Sequence, residues 1–201
     1  VLEMRLKGVR LGFALTGSHC CLNDVIPQLR TLMNEGAEIL PIISNSVATT
    51  DTRFGSSEKW KREIKEITGK DAYETMVETE PIGPQKLLDV LLVAPCTGNT
   101  LAKLANGITD GPVLLSIKAQ LRNQRPVVLG ISTNDGLSMN AKNIGLLLNV
   151  KNLYMVPFGQ DNPISKPNSL MARWDKITDT VVEALKGRQY QPVLVEYHSK
   201  T

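Results

Sequence analysis

The sequence predicts a three-layer α/β fold with a doubly wound, mostly parallel sheet of about six strands. Apolar runs of strand length alternate with helical stripes along the chain, and most of these runs end in a turn of small polar residues. The run at 87–94 (LLDVLLVA) is nearly continuous, which is typical of a strand buried on both faces. The order strand, helix, strand over residues 9–43 fits a right-handed βαβ crossover.

In the first half of the chain, VRLGFAL at 9–15 and AEILPII at 37–43 predict two neighbouring strands. Apolar residues at helical spacing predict a helix over 22–35 between them, which Gly36 ends. A second stripe, at Trp60, Ile64 and Ile67, predicts another helix. Residues 75–79 are interpreted as a short edge strand.

In the second half, Pro95 is expected to end the central strand, and Pro112 to open a helix that runs to residue 121. Strands at 126–131 and 153–156 flank a helix that runs to about residue 148. Residues 159–167 are expected to form a loop. An apolar stripe from Leu170 to Leu185 predicts the last helix.

Length and composition indicate one globular domain. A chain of 201 residues, 42% of them hydrophobic and 21% charged, can bury one substantial core. No stretch resembles a linker, so we expect a single domain over residues 1–187, followed by a tail over 188–201 that lies on the surface or reaches a partner. The formal net charge of +3 is too small to indicate nucleic-acid binding, but it suits small acidic ligands.

Several classes of protein are disfavoured. Three cysteines without framework spacing indicate the reducing cytoplasm. No run is long enough for a membrane span, and the first residues lack the apolar region of a signal peptide. His19 and His198 are too few for a histidine metal cluster, so no metal is expected. The G-x-G-x-x-G, P-loop and G-x-S-x-G patterns are missing, which disfavours a dinucleotide fingerprint, a P-loop nucleotidase and triad hydrolysis.

Three turns of small polar residues follow strands, at 16–18 (TGS), 44–46 (SNS) and 96–100 (CTGNT). Ligands of open α/β sheets bind beyond the carboxyl ends of the strands, where hydroxyls and helix-start N–H groups favour anions. These turns therefore predict a pocket for a small anion, although each hydroxyl could equally be a plain helix N-cap. Cys96 is either a stabilised thiolate or a small packing residue, and His19 is a candidate ligand contact without a visible partner.

The same turns, with APCTGNTLAKLANGITDG at 94–111, resemble the flavin-binding proteins related to cysteine decarboxylases, whose stretch has the form P-A-S-A-N-T-x-A-K-x-A-N-G-x-A-D. The resemblance implies bound FMN, at a boundary between the subunits of homotrimers or multiples of trimers. It implies a substrate-closing role for Met139 and Asn140. The residues it implies for the cofactor are Gly17, Ser18 and Ser44 at the phosphate, with Cys96, Thr97, Asn99 and Thr100 along the turn after the central strand.

The chain departs from two branches of this family. Decarboxylases carry an active histidine after the second strand, and residues 45–93 contain none. Flavin prenyltransferases carry an arginine and a glutamate where this chain has Ser132, Thr133 and Asn134. These missing residues argue against a flavin-dependent lyase and a flavin prenyltransferase, which remain as alternatives to the function given next.

Further runs (TGSHC, ISTNDGLSMNAKNIG, VPFGQDNP) resemble an oxidoreductase branch over nearly the whole length. This implies a subunit that works with an NADP-binding partner to oxidise a small dicarboxylate, in the cytoplasm of the mother cell of a spore-forming bacterium. A non-catalytic partner with a vestigial flavin cleft is the other alternative. The candidate cations for the dicarboxylate are Lys103, Lys142, Lys166 and Arg173.

Overall fold

The computed structural model describes residues 4–197 and shows a seven-stranded, mostly parallel sheet flanked by helices. The predicted fold class is confirmed. Within the described residues, no helix has the length and apolar character needed to cross a membrane. The strands are β1 (Arg10–Leu15), β2 (Glu38–Ile43), β3 (Val90–Cys96), β4 (Val127–Thr133), β5 (Leu153–Met155), β6 (Phe158–Gln160) and β7 (Leu170–Ala172). The α-helices are α1 (Leu22–Val25), α2 (Pro27–Asn34), α3 (Asn45–Thr49), α4 (Ser57–Thr68), α5 (Met76–Thr79), α6 (Gly98–Ala105), α7 (Pro112–Arg122), α8 (Ala141–Leu147) and α9 (Ile177–Leu185).

The sheet places the ends of its main strands side by side. The strand order is β2-β1-β3-β4-β7-β6, with β5 pairing to the beginning of β4. Strands β1 to β5 are parallel, whereas β7 runs antiparallel to both β4 and β6. Leu15 lies opposite Ile43, and Cys96 lies opposite Ile131. The turns after β1, β2, β3 and β4 therefore meet at one edge of the sheet.

The core is formed around β3, all seven of whose residues are buried. Strand β1 is buried from Leu11 to Leu15. This burial on both faces explains the continuous apolar run, because neither face of a central parallel strand meets water. The two strands form a rigid base for the turns that follow them.

Two local interpretations from the sequence are wrong. Pro95 does not end β3, which continues to Cys96 through a register shift after Val93 that accommodates the missing N–H. Residues 75–79 form the short helix α5 instead of an edge strand. Thr75 and Glu78 form a capping box there, and this reciprocal pair of hydrogen bonds favours a helix start.

The last third also differs from the sequence expectation. The loop expected at 159–167 is present from residue 161, but strand β6 occupies its first two positions. The helix start expected at Leu170 is replaced by strand β7, and α9 begins only after a 3-10 turn at Trp174–Lys176. The predicted helix over 22–35 is divided into α1 and α2 next to Pro27, which lacks an N–H.

Part of the expected tail packs on the sheet. Gln189 Oε1 accepts from Met155 N at 2.8 Å, and Gln189 Nε2 donates to Met155 O at 2.7 Å. Phe158 N donates to Val193 O and Val195 N donates to Phe158 O, both at 3.0 Å. Gln189 is therefore fixed to β5, and residues 193–195 run beside β6. His198 lies outside the described residues.

Candidate functional site

The turns after β1, β2 and β3 converge on one cavity of about 500 Å³, here called the first cavity. The loop before α7 and the start of that helix complete it. Its polar lining consists of Thr16, Gly17, Ser44, Asn45, Ser46, Thr97, Asn99 and Thr100, and its remaining wall includes Lys103, Asp110, Val113 and Leu114.

The hydroxyls of Ser44 and Thr97 cap helices and line the first cavity at once. Ser44 Oγ accepts from Val47 N at 3.5 Å, and Thr97 Oγ1 accepts from Thr100 N at 3.2 Å. A capping oxygen acts as an acceptor, so the O–H hydrogen of Ser44 is available to donate to a ligand. The two interpretations made from the sequence, a helix N-cap and a contact to an anion, are thus compatible.

Thr16 joins the turns after β1 and β3. Its Oγ1 donates to Pro95 O at 2.6 Å and accepts from Thr97 N at 3.1 Å. The side chain is buried, with 2% of its surface exposed. The sequence placed Thr16 in the turn but gave it no role, since its partners are about 80 residues away. It fixes the position of Thr97 against β1.

Gly17, Ser46 and His19 are in close contact at the floor of the first cavity. A Cβ on Gly17 would lie 2.6 Å from Ser46 Oγ, so a larger residue here would displace the Ser46 side chain. His19 Nε2 lies 3.2 Å from Ser46 Oγ, while its Nδ1 is buried without a hydrogen-bond partner among the described residues. Burial lowers the pKa of His19, which is therefore neutral at pH 7. With its proton on Nε2, His19 donates to Ser46 Oγ and leaves the Ser46 O–H free for the cavity.

Charge is balanced in the first cavity. Lys103 Nζ donates to Asp110 Oδ2 at 2.6 Å, so this ion pair adds no net charge. Val113 and Leu114 supply an apolar surface beside it. The cavity therefore combines neutral hydrogen-bond donors with an apolar wall.

A second cavity of about 420 Å³ adjoins the first, because Gly17 and Thr97 line both. It lies between the turns after β1, β3 and β4 and the hairpin of β6 and β7. Its other lining residues are Ser18, Cys20, Cys21, Asp24, Gly98, Ser132, Thr133, Asn134, Asp161, Lys166, Ser169 and Met171.

The second cavity contains charged groups and hydroxyls. Ser18 Oγ lies 2.7 Å from Ser132 Oγ. Asp161 Oδ1 is buried and has no hydrogen-bond partner among residues 4–197, and Asp161 Oδ2 lies 3.7 Å from Lys166 Nζ. A buried oxygen without a donor is costly, which points to a ligand donor or water at this place.

The structure brings most of the predicted cofactor residues to the first cavity: Gly17, Ser44, Thr97, Asn99 and Thr100. Ser18 lies instead on the second cavity. Cys96 lines neither of them, because its side chain at the end of β3 is fully buried. Burial raises the pKa of the Cys96 thiol far above its usual range, so the packing interpretation of this residue fits the structure.

The predicted substrate residues Met139 and Asn140 line neither cavity. Met139 is 69% exposed. Asn140 is buried, and its Nδ2 donates to both carboxylate oxygens of Asp135 at 2.9 Å, while its Oδ1 accepts from Asn143 at 2.8 Å. Thr133 and Asn140 donate to Asp135 and lower its pKa. Asn140 therefore holds the turn after β4 in place, and its predicted role at a substrate stays a prediction.

Of the four candidate cations, two line a cavity and two do not. Lys103 lines the first cavity and Lys166 the second. Lys142 and Arg173 line neither, and Arg173 Nη2 donates to Glu196 O at 3.1 Å. Residues that the sequence did not single out at the two cavities include Asp24, Asp110, Asp161 and Met171, whose positions depend on the tertiary fold.

Comparisons with known proteins agree with this geometry. A family model described as Flavoprotein matches residues 2–186. The B subunit of dipicolinate synthase from Bacillus subtilis (strain 168) is 50% identical over 191 residues, which cover 95% of this chain and 96% of that protein. A crystal structure of the dipicolinate synthase B subunit from Bacillus halodurans C is also 50% identical, with a TM-score of 0.88 over 96% of this chain and 99% of that one.

A more distant solved structure shares the fold alone. The FMN-dependent cysteine decarboxylase SpaF is 20% identical, with a TM-score of 0.66 over 90% of this chain and 97% of that one. Its sheet and flanking helices thus match those described above.

Proposed function

The chain belongs to the Flavoprotein family, and from that premise we propose that it is a component of a dipicolinate synthase and binds FMN in the first cavity. The two relatives that are named as the B subunit of that enzyme support this, since each is 50% identical over nearly the whole of both chains. The observation that carries the proposal is the convergence of the three turns on one cavity.

The residues of the first cavity fit a phosphorylated flavin. Ser44, Ser46 and Thr97 offer hydroxyls, and the first N–H groups of the eight-residue helix α6 have no partner within that helix. Gly17 lets the β1 turn approach Ser46 closely. Val113 and Leu114 suit the apolar ring system. In this arrangement Gly17 and Ser44 hold the phosphate, and Asn99 and Thr100 contact the ribitol or the ring edge.

FMN, when bound, supplies an acceptor for two electrons. The chain's own residues bind and orient the small dicarboxylate beside it. We place this substrate in the second cavity, where Lys166 pairs with one carboxylate. Ser18 and Ser132 share one hydrogen bond, which leaves one hydroxyl hydrogen of the pair to donate to a substrate oxygen. Asp161 Oδ1, buried and without a donor, accepts from a substrate N–H. Asn140 contributes indirectly, by holding Asp135 and the turn after β4.

The reaction proposed is the oxidation of a dihydrodipicolinate-level precursor to dipicolinate, in which the substrate loses two electrons and two protons. The relatives carry the name of a B subunit, which implies a second component of the enzyme. We infer that this partner is the A subunit of dipicolinate synthase and that it binds NADP. The same resemblance supports a homotrimer or a multiple of trimers, working in sporulation in the mother-cell cytoplasm.

Binding of FMN to the purified chain tests the first part. Titration with FMN should give one flavin per chain, with a shifted visible spectrum and quenched flavin fluorescence. The double variant Thr97→Ala, Asn99→Ala should bind FMN at least about tenfold more weakly, which is a loss of about 1.4 kcal/mol. Protein that is colourless after incubation with excess FMN and removal of the free flavin would contradict the proposal.

Reconstitution of both components tests the second part. With the dicarboxylate precursor, formation of dipicolinate should require both chains, and supplying FMN and NADP separately identifies the electron acceptor. Full activity with the double variant would instead favour a non-catalytic partner with a vestigial cleft. Release of carbon dioxide from a cysteinyl substrate, or turnover of dimethylallyl phosphate, would favour the lyase or the prenyltransferase.

A further inference from the structure

Three sulfur-bearing side chains lie together on the wall of the second cavity. Cys20 Sγ lies 3.7 Å from Cys21 Sγ, and Cys21 Sγ lies 3.9 Å from Met171 Sδ. Cys21 and Met171 are 150 residues apart in the sequence, so the fold brings the thioether to the two thiols. Cys20, Cys21 and Met171 are called the sulfur cluster below.

The spacing within the sulfur cluster suits a single bound ion. Metal–thiolate bonds are about 2.3 Å long, so one ion can join two sulfur atoms that lie up to about 4.6 Å apart. Both measured separations fall within this limit. An ion bound to Cys21 is therefore within reach of either neighbouring sulfur, and the flexible side chain of Met171 can rotate to complete a set of three ligands.

Serine hydroxyls contact both cysteine sulfurs. Ser18 Oγ lies 3.7 Å from each of the two cysteine sulfurs, and Ser132 Oγ lies 3.2 Å from Cys21 Sγ. Burial raises the pKa of the Cys21 thiol and outweighs these hydroxyls, which act in the opposite direction, so a metal ion has to displace the thiol proton. Cys20 is exposed, whereas Cys21 is 4% exposed, so the cluster has both an entrance and a buried ligand.

The ligand set selects the kind of ion. Among residues 4–197, no group of three or more histidine, cysteine or acidic side chains is placed to hold a metal ion. Structural zinc sites use four such ligands, whereas two thiolates with a thioether are soft ligands that favour copper(I). We propose that the sulfur cluster is a binding site for copper(I), held by the thiolates of Cys20 and Cys21 and the thioether of Met171.

Binding displaces the two thiol protons, no electron is transferred, and the resulting complex carries a net charge of −1. The site does not depend on a flavin, since none of its ligands lines the first cavity. A bound ion would lie on the wall of the second cavity beside Ser18 and Ser132, and would thus compete with any other ligand there.

An anaerobic titration of the purified chain with copper(I), in competition with bicinchoninate, tests the proposal. The expected result is one copper(I) per chain. Cys21→Ser should weaken copper(I) binding by more than about 100-fold. This loss exceeds the one caused by removing a residue that contacts a metal ligand but not the metal itself. Met171→Leu should weaken copper(I) binding by about tenfold. Circular dichroism checks that each variant is folded.

The matched controls are Cys96→Ala and Met33→Leu, which remove a thiol and a thioether elsewhere and should leave copper binding unchanged. A further test needs no variant: in the wild-type chain, copper(I) should protect Cys20 from alkylation by N-ethylmaleimide. Equal binding by the Cys20→Ser, Cys21→Ser double variant, no effect of Met171→Leu, or no protection of Cys20 would each overturn the proposal.

Discussion

The two adjoining cavities share Gly17 and Thr97, yet different parts of the chain build them. The first is lined by neutral donors from three successive parallel strands, and its ion pair is internally balanced. The second contains Asp24, Asp161 and Lys166, and one of its walls is the antiparallel hairpin of β6 and β7. Under the proposed function, the repeated strand–turn–helix unit holds the FMN phosphate, and the irregular part of the sheet contributes the groups that bind the substrate.

The largest expected effect is on FMN binding in the first cavity, from a substitution at Gly17, which lines both cavities. Gly17→Val forces a side chain onto Ser46, because even a Cβ would lie 2.6 Å from Ser46 Oγ. The FMN dissociation constant measured by fluorescence quenching should rise about 100-fold, or about 2.7 kcal/mol. Gly145→Val is the control, since a Cβ there meets nothing within 4 Å. Unchanged FMN affinity in Gly17→Val would remove the first cavity from consideration.

Lys166→Met sharpens the comparison from the other side. It removes the cation of the second cavity, so the KM for the dicarboxylate in the reconstituted enzyme should rise about tenfold, as expected for one charge-assisted hydrogen bond. The FMN dissociation constant should stay the same. Lys151→Met, an exposed lysine that lines neither cavity, is the matched control. Weaker FMN binding with an unchanged KM would reverse the assignment of the two cavities.

Alanine substitutions at two helix caps distinguish an effect on stability from an effect on FMN binding. Thr97 caps α6 at the cavities, and Thr75 caps α5 elsewhere. Each substitution to alanine should lower the free energy of unfolding by about 1 kcal/mol, measured by urea denaturation. Only Thr97→Ala should also weaken FMN binding. Equal FMN affinity in both variants would mean that Thr97 is a cap and nothing more.

The smallest expected effect is a pH dependence of stability at His19. Because burial lowers its pKa in the folded state, the unfolded chain takes up a proton at His19 as the pH falls through about 6.5, and the folded chain does so only at lower pH. The contribution of neutral His19 to stability is therefore complete above that pH and declines below it. In His19→Gln, the free energy of unfolding should change less between about pH 7.5 and 5.5. If the unfolding free energy of His19→Gln depends on pH as strongly as that of the wild-type chain, groups other than His19 cause the pH dependence.

Sequence reasoning located the first cavity better than the second. Gly17, Ser44 and Thr97 follow strands long enough to give a clear apolar pattern, and the carboxyl ends of parallel strands meet at one edge. Strands β6 and β7 have three residues each, which is too short for a periodic pattern, so the places of Lys166 and Met171 were not predictable.

Other features depend on contacts that a local rule does not include. The strand past Pro95, which the sequence expectation missed, depends on a register shift. The contact of His19 with Ser46 joins residues 27 positions apart. Asn140 donates to the carboxylate of Asp135, five positions earlier, and its predicted role at a substrate stays a prediction.

The segment that runs beside β6 determines where the chain can be shortened. Val193 and Val195 satisfy the backbone N–H and C=O of Phe158 on the side of β6 away from β7. A truncated chain that ends at residue 187 would leave these groups bare and invite edge-to-edge aggregation, since an unpaired strand edge is a template for another chain. Expression of the protein for crystallisation should therefore retain residues up to at least 195.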